Sequence, residues 1–280
     1  MASEGAASRC ILLAVPGGDQ VAPIIESGFA AAGWPTRSVG TVGALAQAVA
    51  EQLVGLVVLD MALPGAHEAL EALKMDPATN WVPVVALFPR GSRLLRPAEL
   101  RVRADVELVE PVAIQHLITA AESKAIRSTE PVSTRKVCLL LPSRRADLER
   151  CVQMASTLAQ ATGLAEAART SLVAAIREAV ANAIQHGNQS DPAKYVQVEY
   201  RQNPATVTIT VRDQGAGFDA QRLLRQAIEG NAADAARDRH RQGGKGGLGL
   251  LMLVRCTDQV RYNGAGNIVT LTKFLRERPS

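Results

Sequence analysis

Short apolar runs alternate with segments of helical spacing over the first 125 residues. The runs contain almost no polar residues, which is typical of strands buried on both faces of a parallel sheet. They lie at residues 9–15, 53–60, 82–87 and 106–109, with a further short strand expected at 35–39, and the helical segments lie at 21–32, 42–52, 67–75 and 112–124. Strands and helices in alternation predict an α/β fold with a doubly wound parallel sheet.

The pattern changes after residue 135, where amphipathic helices precede alternating strands. The expected elements are a strand at 137–141, helices at 145–162 and 171–188, and strands at 195–200, 206–211, 260–262 and 268–274. Turn residues at 202–204 and 263–266 join the four later strands into two antiparallel pairs. Helices on one face of such a mixed sheet predict a two-layer α/β sandwich.

The stretch from residue 123 to residue 135 mixes charged residues, Ser, Thr and Pro without apolar periodicity, so it is interpreted as a linker. We therefore predict a first domain at residues 1–126, a linker at 127–135 and a second domain at 136–280.

The helix predicted at 171–188 carries an unusual polar stripe. Its apolar residues recur at helical spacing, whereas Glu178, Asn182 and His186 are four residues apart and fall on a second face. Polar groups on a buried helix are costly unless they meet a partner. An acid, a neutral oxygen ligand and an imidazole at this spacing suit a hydrated metal, a phosphate or a nucleophile.

Two glycine-containing segments follow this helix. Asp213 ends an apolar strand, and Gly215 and Gly217 allow the backbone behind it to turn with positive φ and to approach a ligand closely. Residues 243–249 are dense in glycine and run into an apolar helix, whose N-terminal N–H groups can bind phosphate. Lys245 is placed to neutralise a terminal phosphate, and the Arg-rich residues between the two segments are interpreted as a mobile lid.

These three pieces, in this order, resemble the nucleotide-binding boxes of the GHKL ATPase superfamily, and within it the bacterial anti-sigma-factor serine kinases. The matching pieces are Glu-Ala-Val-x-Asn-Ala-x-x-His-Gly at 178–187, Asp-x-Gly-x-Gly at 213–217 and Gly-Gly-Leu-Gly-Leu at 246–250. The resemblance covers residues 136–274, about half of the chain.

The resemblance implies a site for ATP and Mg²⁺. It makes Glu178 the general base toward a serine of a partner protein, Asn182 the Mg²⁺ ligand and Asp213 the acceptor for the adenine amine. The residues expected to bind the nucleotide are Asn182, His186, Asp213, Gly215, Gly217, Lys245, Gly246, Gly247 and Gly249. The implied partners are a sigma factor, a substrate of the anti-anti-sigma type and a second copy of the chain in a homodimer.

The first domain resembles a response-regulator receiver, with Asp60 at the position of the phosphoacceptor. It departs from that family at the places where phosphorylation depends on charge. Residues 15–18 lack the acidic pair that holds Mg²⁺, Phe88 replaces a Ser or Thr, and Glu110 replaces the lysine that pairs with the phosphate. We therefore predict a degenerate receiver used for dimerisation or docking. The alternatives are that Asp60 is phosphorylated, or that it only caps a turn.

Composition bears on the location of the protein, on nucleic-acid binding and on the state of the cysteines. No apolar run reaches the length of a membrane span and no signal pattern is present, so a cytoplasmic protein is expected. The net charge is +4 without a basic block interleaved with aromatics, which argues against direct nucleic-acid binding. The four cysteines are scattered and are interpreted as reduced packing residues.

Three functions remain open from the sequence. The absence of histidine between His116 and His186 argues against a histidine kinase. A protein-serine kinase modulated by a degenerate receiver is the leading interpretation. The alternatives are a non-catalytic, nucleotide-dependent adaptor and a response regulator driven at Asp60.

Overall fold

The computed structural model describes residues 10–18, 22–51, 54–95, 98–125, 134–229 and 248–275. The chain divides into two units, one made of Met1–Leu94 and Val102–Val137 and the other of Leu95–Arg101 and Cys138–Ser280. Residues 127–133 of the linker predicted at 127–135 lie outside the described residues, so the linker stays a prediction. No helix of the described part of the chain is long and apolar enough to span a bilayer.

The first unit is built on a parallel sheet, which confirms the predicted fold class. Its strands are β1 (Cys10–Ala14), β2 (Thr36–Val39), β3 (Val54–Asp60), β4 (Val84–Phe88) and β6 (Val106–Val109). A short strand, β5 (Arg101–Arg103), precedes β6 in the sequence but belongs to the second sheet. The five strands pair in parallel in the order β2-β1-β3-β4-β6. This is the order of doubly wound folds of the flavodoxin type.

Helices cover both faces of this sheet. They are α1 (Ala22–Ala31), α2 (Val42–Glu51), α3 (Ala66–Met75) and α4 (Ile114–Ala125). Phe29 of α1 and Leu117 of α4 pack in one apolar core, and Leu45 of α2 and Leu70 of α3 pack in another. Because β3 lies between the two cores, successive residues of its apolar run are buried alternately against one and the other.

The second unit follows the predicted strand pairs. Its strands are β7 (Arg135–Pro142), β8 (Tyr195–Gln202), β9 (Thr206–Arg212), β10 (Gln259–Tyr262) and β11 (Ile268–Phe274), and its helices are α5 (Arg145–Gln160), α6 (Glu166–Asn182), α7 (Ala220–Glu229) and α8 (Leu248–Cys256). β8 pairs with β9, β9 with β11 and β11 with β10, all antiparallel. The sheet order is β10-β11-β9-β8-β7-β5. The edge strand β5 was not predicted, because three residues carry no measurable alternation.

One face of this sheet is apolar and lies under α6. Val207, Ile209 and Val211 of β9 are buried, whereas Thr208 and Thr210 between them are half-buried on the opposite face. α6 packs on β9 and β11, and α5 packs on α6. This arrangement confirms the predicted two-layer α/β sandwich.

The helix predicted at 171–188 has different ends in the structure. It begins earlier, at Glu166, and its regular part ends at Asn182, after which Ala183–Gly187 form a π-helical turn. The Asn188 N–H donates to the Ala183 carbonyl at 2.8 Å, five residues back, which widens the turn. π-turns of this kind are frequent at functional sites.

All four cysteines lie among the described residues, and none of them forms a disulfide, as predicted. Burial raises the pKa of the Cys151 thiol to about 12, so this cysteine is an inert packing residue of α5.

Candidate nucleotide-binding site

Two residues of the polar stripe meet on α6. The Asn182 Nδ2 donates to Glu178 Oε1 at 3.0 Å, and both side chains are half-buried. The i, i+4 spacing places the two side chains one turn apart on the same face, as predicted. Because the amide nitrogen is directed at Glu178, Oδ1 of Asn182 is the atom left to accept from or coordinate a ligand.

The N-terminal turn of α8 approaches this pair closely. A Cβ atom on Gly249 would overlap Glu178 Oε1, and it would lie 3.0 Å from Glu178 Cδ and 3.3 Å from Asn182 Nδ2. A side chain at position 249 would therefore require the Glu178 carboxylate to move. The second glycine segment and the polar stripe, 67 residues apart in sequence, form one surface.

Asp213 lies directly after β9 and is held from two sides. Its N–H donates to the Asn267 carbonyl at 3.1 Å, and its Oδ1 accepts from the Gly215 N–H at 2.7 Å. A Cβ on Gly187 would lie 2.6 Å from each carboxylate oxygen of Asp213. The end of the π-helical turn therefore packs against the carboxylate without room for a side chain.

The environment of Asp213 favours a hydrogen-bond donor as its ligand. Burial raises the pKa of the Asp213 carboxyl, and the Gly215 N–H and the positive charge of Lys194 offset part of that effect. A half-buried carboxylate fixed by backbone donors is suited to accept from an amine of a base.

A hairpin turn braces the loop that follows Asp213. Gly217 has φ +78°, and a Cβ there would overlap the Ala265 carbonyl oxygen. Gly266 has φ +82°, and a Cβ there would overlap the Phe218 carbonyl oxygen. The Phe218 N–H donates to the Ala265 carbonyl at 3.1 Å. The sequence predicted a turn at 263–266 but did not indicate that this turn packs against the loop after Asp213.

Asn188 is a positioning residue that the sequence did not reveal. It is fully buried, its Nδ2 donates to Ser143 Oγ and to the Tyr195 carbonyl at 2.8 Å each, and its Oδ1 accepts from the Gln214 N–H at 2.7 Å. It thereby ties the end of the π-helical turn to the loop of Asp213. An Asn that follows a helix is usually a solvent-exposed cap, so nothing local marked it as buried.

Asn188→Ala is expected to destabilise the second unit by about 2–4 kcal/mol, because the buried Asn188 side chain makes three hydrogen bonds and each partner loses one. Asn203→Ala is the matched control. The Asn203 side chain likewise makes three hydrogen bonds, all as an acceptor, but in an exposed turn. Urea unfolding followed by circular dichroism should show a clearly smaller loss for the control. Equal losses would contradict a special role for Asn188.

The remaining predicted residues are placed as follows. His186 is exposed on the π-helical turn. Glu178, Asn182, Asp213, Gly215, Gly217 and Gly249 lie in the contacts described above, whereas Lys245, Gly246, Gly247 and most of the predicted lid lie outside the described residues. A cleft of about 510 Å³ beside Ser143, Arg145 and Gln185 contains none of the predicted site residues.

In the first unit, Asp60 lies at the carboxyl end of β3 and its Oδ1 accepts from the Ala62 N–H at 2.8 Å. This bond is the one that a turn-capping role requires. The Phe88 ring, at the end of β4, lies 6.2 Å from the ring of His67. Within the described ranges, no group of three or more His, Cys, Asp or Glu residues is arranged to hold a metal. Phosphorylation of Asp60 stays a prediction.

The second unit is similar to known ATPase domains and kinases. Residues 141–273 match the model of the histidine kinase-like ATPase domain. Serine-protein kinase RsbW of Bacillus licheniformis is 34% identical over 106 residues, which are 37% of this chain and 64% of that protein. Serine-protein kinase RsbW of Listeria innocua is 27% identical over 148 residues, which are 51% of this chain and 89% of that protein. The chain thus spans less than two thirds of the first relative and most of the second.

The first unit is similar to solved receiver structures. The receiver domain of a sensor histidine kinase from Pseudomonas aeruginosa PAO1 covers 42% of this chain, and 98% of its own length, at 18% identity and a TM-score of 0.37. The strand order β2-β1-β3-β4-β6 of the first unit is by itself that of flavodoxin-type doubly wound folds.

Proposed function

We propose that the second unit, which carries a histidine kinase-like ATPase domain, binds ATP with Mg²⁺ and phosphorylates a serine of a partner protein. One observation carries the proposal: Gly249 lies against Glu178 and Asn182, and Gly187 lies against Asp213, so closely that a Cβ at either glycine would overlap the carboxylate that faces it. Three segments that are far apart in sequence therefore converge on one surface of polar groups and backbone.

The residues present fit the two groups that the proposal requires. Asp213 would accept a hydrogen bond from the adenine amine, and Oδ1 of Asn182 would coordinate Mg²⁺. One protein oxygen suffices, because Mg²⁺ commonly keeps several waters and takes its other ligands from substrate phosphates. When bound, Mg²⁺ neutralises the negative charge that gathers on the transferred phosphate.

Glu178 would act as the general base. Its carboxylate takes the proton of the substrate serine while the serine oxygen forms a bond to the γ-phosphorus, and the bond from that phosphorus to the ADP oxygen breaks. The hydrogen bond from Asn182 fixes the orientation of the carboxylate. The serine belongs to the partner, so the chain needs no nucleophile of its own.

The finer assignments follow the serine-protein kinases that the second unit resembles. We propose a substrate of the anti-anti-sigma type, a sigma factor as a second partner, and a homodimer. The first unit would serve as a docking or dimerisation module. Its Asp60 side chain accepts a hydrogen bond from the turn that follows it, which favours a structural role.

Thermal unfolding with and without Mg²⁺-ATP tests the site without a partner. A ligand at a hundredfold excess over its Kd stabilises the folded state by about 2.7 kcal/mol. We expect the unfolding midpoint of the wild type to rise with Mg²⁺-ATP, and we expect Asp213→Asn to lose this rise. The absence of a shift in the wild type would contradict nucleotide binding.

Asp213→Asn should nevertheless fold. Because the folded state raises the pKa of this carboxyl, ionisation of Asp213 lowers the stability of the nucleotide-free protein at pH values above that pKa. The amide removes this cost and retains an oxygen for the Gly215 N–H. The nucleotide-free variant is therefore expected to unfold at the wild-type temperature or slightly above it.

A further inference from the structure

Tyr262 ends β10 on the helix-covered face of the second sheet. It pairs with Val269 of β11, which in turn pairs with Val211 of β9. Directly paired residues of antiparallel strands project to the same face, and Val269 and Val211 are buried on the face that α6 covers. The half-buried side chain of Tyr262 therefore points toward the layer that contains Glu178.

The Tyr262 ring is held by the loop that follows Asp213. It packs edge-to-face against Phe218, with ring centroids 5.4 Å apart and an interplanar angle of 70°. Phe218 directly follows Gly217 and remains 42% exposed, which is unusual for a large aromatic residue. The backbone N–H of Phe218 donates a hydrogen bond to the carbonyl of Ala265, in the turn that follows Tyr262. The aromatic pair thus lies beside the glycine loop with one ring open to solvent.

The charges around the Tyr262 hydroxyl come from both ends of the candidate site. Burial raises the pKa of Tyr262 to about 12, and the negative charges of Glu178 and Asp213 contribute to the rise. The phenol therefore keeps its proton at physiological pH and remains a hydrogen-bond donor. No hydrogen-bond partner of this hydroxyl is found among the residues that the structure describes.

We propose that Tyr262 is a further nucleotide-binding residue, whose hydroxyl bonds a ribose hydroxyl while Phe218 holds its ring in place. The inference rests on the proposed function, in which Asp213 binds the base and Asn182 and Glu178 act at the phosphates. The ribose is the part of a nucleoside triphosphate that lies between those ends. A phenol and a ribose hydroxyl can each donate and accept, so the two groups are complementary.

Equilibrium binding by titration calorimetry tests the inference on the full chain. ATP, 2′-deoxy-ATP and 3′-deoxy-ATP are compared, each with Mg²⁺, for the wild type, Tyr262→Phe and Tyr200→Phe. We expect the wild type to bind ATP about three- to tenfold more tightly than one of the deoxynucleotides, as one neutral hydrogen bond allows. In Tyr262→Phe the two affinities should become equal through weaker ATP binding alone.

Tyr200→Phe is the matched control. The Tyr200 hydroxyl donates within the same unit, to Gln202 Oε1 at 2.8 Å, in the core of the sheet. This variant should keep the wild-type ratio of ATP to deoxy-ATP affinity. Unchanged binding of the deoxynucleotide by Tyr262→Phe serves as its folding control.

Three results would overturn the inference. They are a wild type that binds all three nucleotides equally, a Tyr262→Phe variant that keeps the wild-type ratio, and a Tyr262→Phe variant that loses all three nucleotides equally. The last result would assign Tyr262 to packing. Failure of the wild type to bind any nucleotide is a different outcome, which would contradict the proposed function itself.

Discussion

Glu178→Gln is expected to slow phosphate transfer to the partner serine by about 10²- to 10⁴-fold, the usual contribution of a general base. The amide is nearly the same shape as the carboxylate but cannot take a proton. Glu178 contacts Asn182 and lies against Gly249 of α8. Because glutamine has nearly the same shape, the change should keep these contacts and leave ATP binding nearly intact. The expected signature is therefore a loss of transfer without a loss of nucleotide affinity.

The measurement is transfer of labelled γ-phosphate from ATP to a protein of the anti-anti-sigma type, with the phosphoserine located by mass spectrometry. Glu199→Gln is the control, since Glu199 lies on β8 between residues whose side chains point to the opposite, buried face. A Glu178→Gln variant with the wild-type rate would contradict the base assignment. If the biological effect of the protein survives the loss of transfer, the adaptor interpretation is favoured over the kinase.

Gly187→Ala is expected to weaken ATP binding by about a hundredfold or more, although it adds one methyl group. The new Cβ would lie 2.6 Å from both oxygens of the Asp213 carboxylate, so the carboxylate or the π-helical turn must move. A displacement of about 1 Å in a positioned group commonly costs a factor of 10². The variant should fold, because the strain falls on a single contact between the π-helical turn and the loop that follows β9.

Calorimetric titration with Mg²⁺-ATP checks this prediction, and Gly264→Ala provides its control. Gly264 lies in the same hairpin turn that braces the Asp213 loop, but a Cβ there meets nothing within 4 Å. The control should bind ATP as the wild type does. Normal ATP affinity in Gly187→Ala would mean that the Asp213 carboxylate is not where the nucleotide binds.

The fold was largely predictable because both sheets have strong periodic signals. The uniform burial of β3 between two helix layers produces the unbroken apolar run at 53–60, and the one-sided burial of β9 produces the alternation at 206–211. The pairing of Glu178 with Asn182 was predictable for a similar reason, since a helix fixes the neighbours of each position. These features depend on local sequence, which a single chain displays.

The parts that were not predicted depend on contacts between distant segments. The helix expected at 171–188 changes to a π-turn because Asn188 must reach Ser143, Tyr195 and Gln214, and no local pattern records those three partners. The hairpin at 263–267 looks like any glycine-containing turn until it meets Gly217. Tyr262 looks like an ordinary strand residue until the sheet register places it on the helix-covered face.

The close packing of the Gly217 and Gly266 segments against each other also limits how this domain can be engineered. Each position faces a carbonyl oxygen of the other segment, so a larger residue at either one displaces both backbones at once. A programme to accept a different nucleobase therefore has little freedom on that wall of the proposed site. Redesign would have to proceed through the solvent-facing side, where the partly exposed Phe218 ring is accessible, although its replacement would also remove its packing against Tyr262.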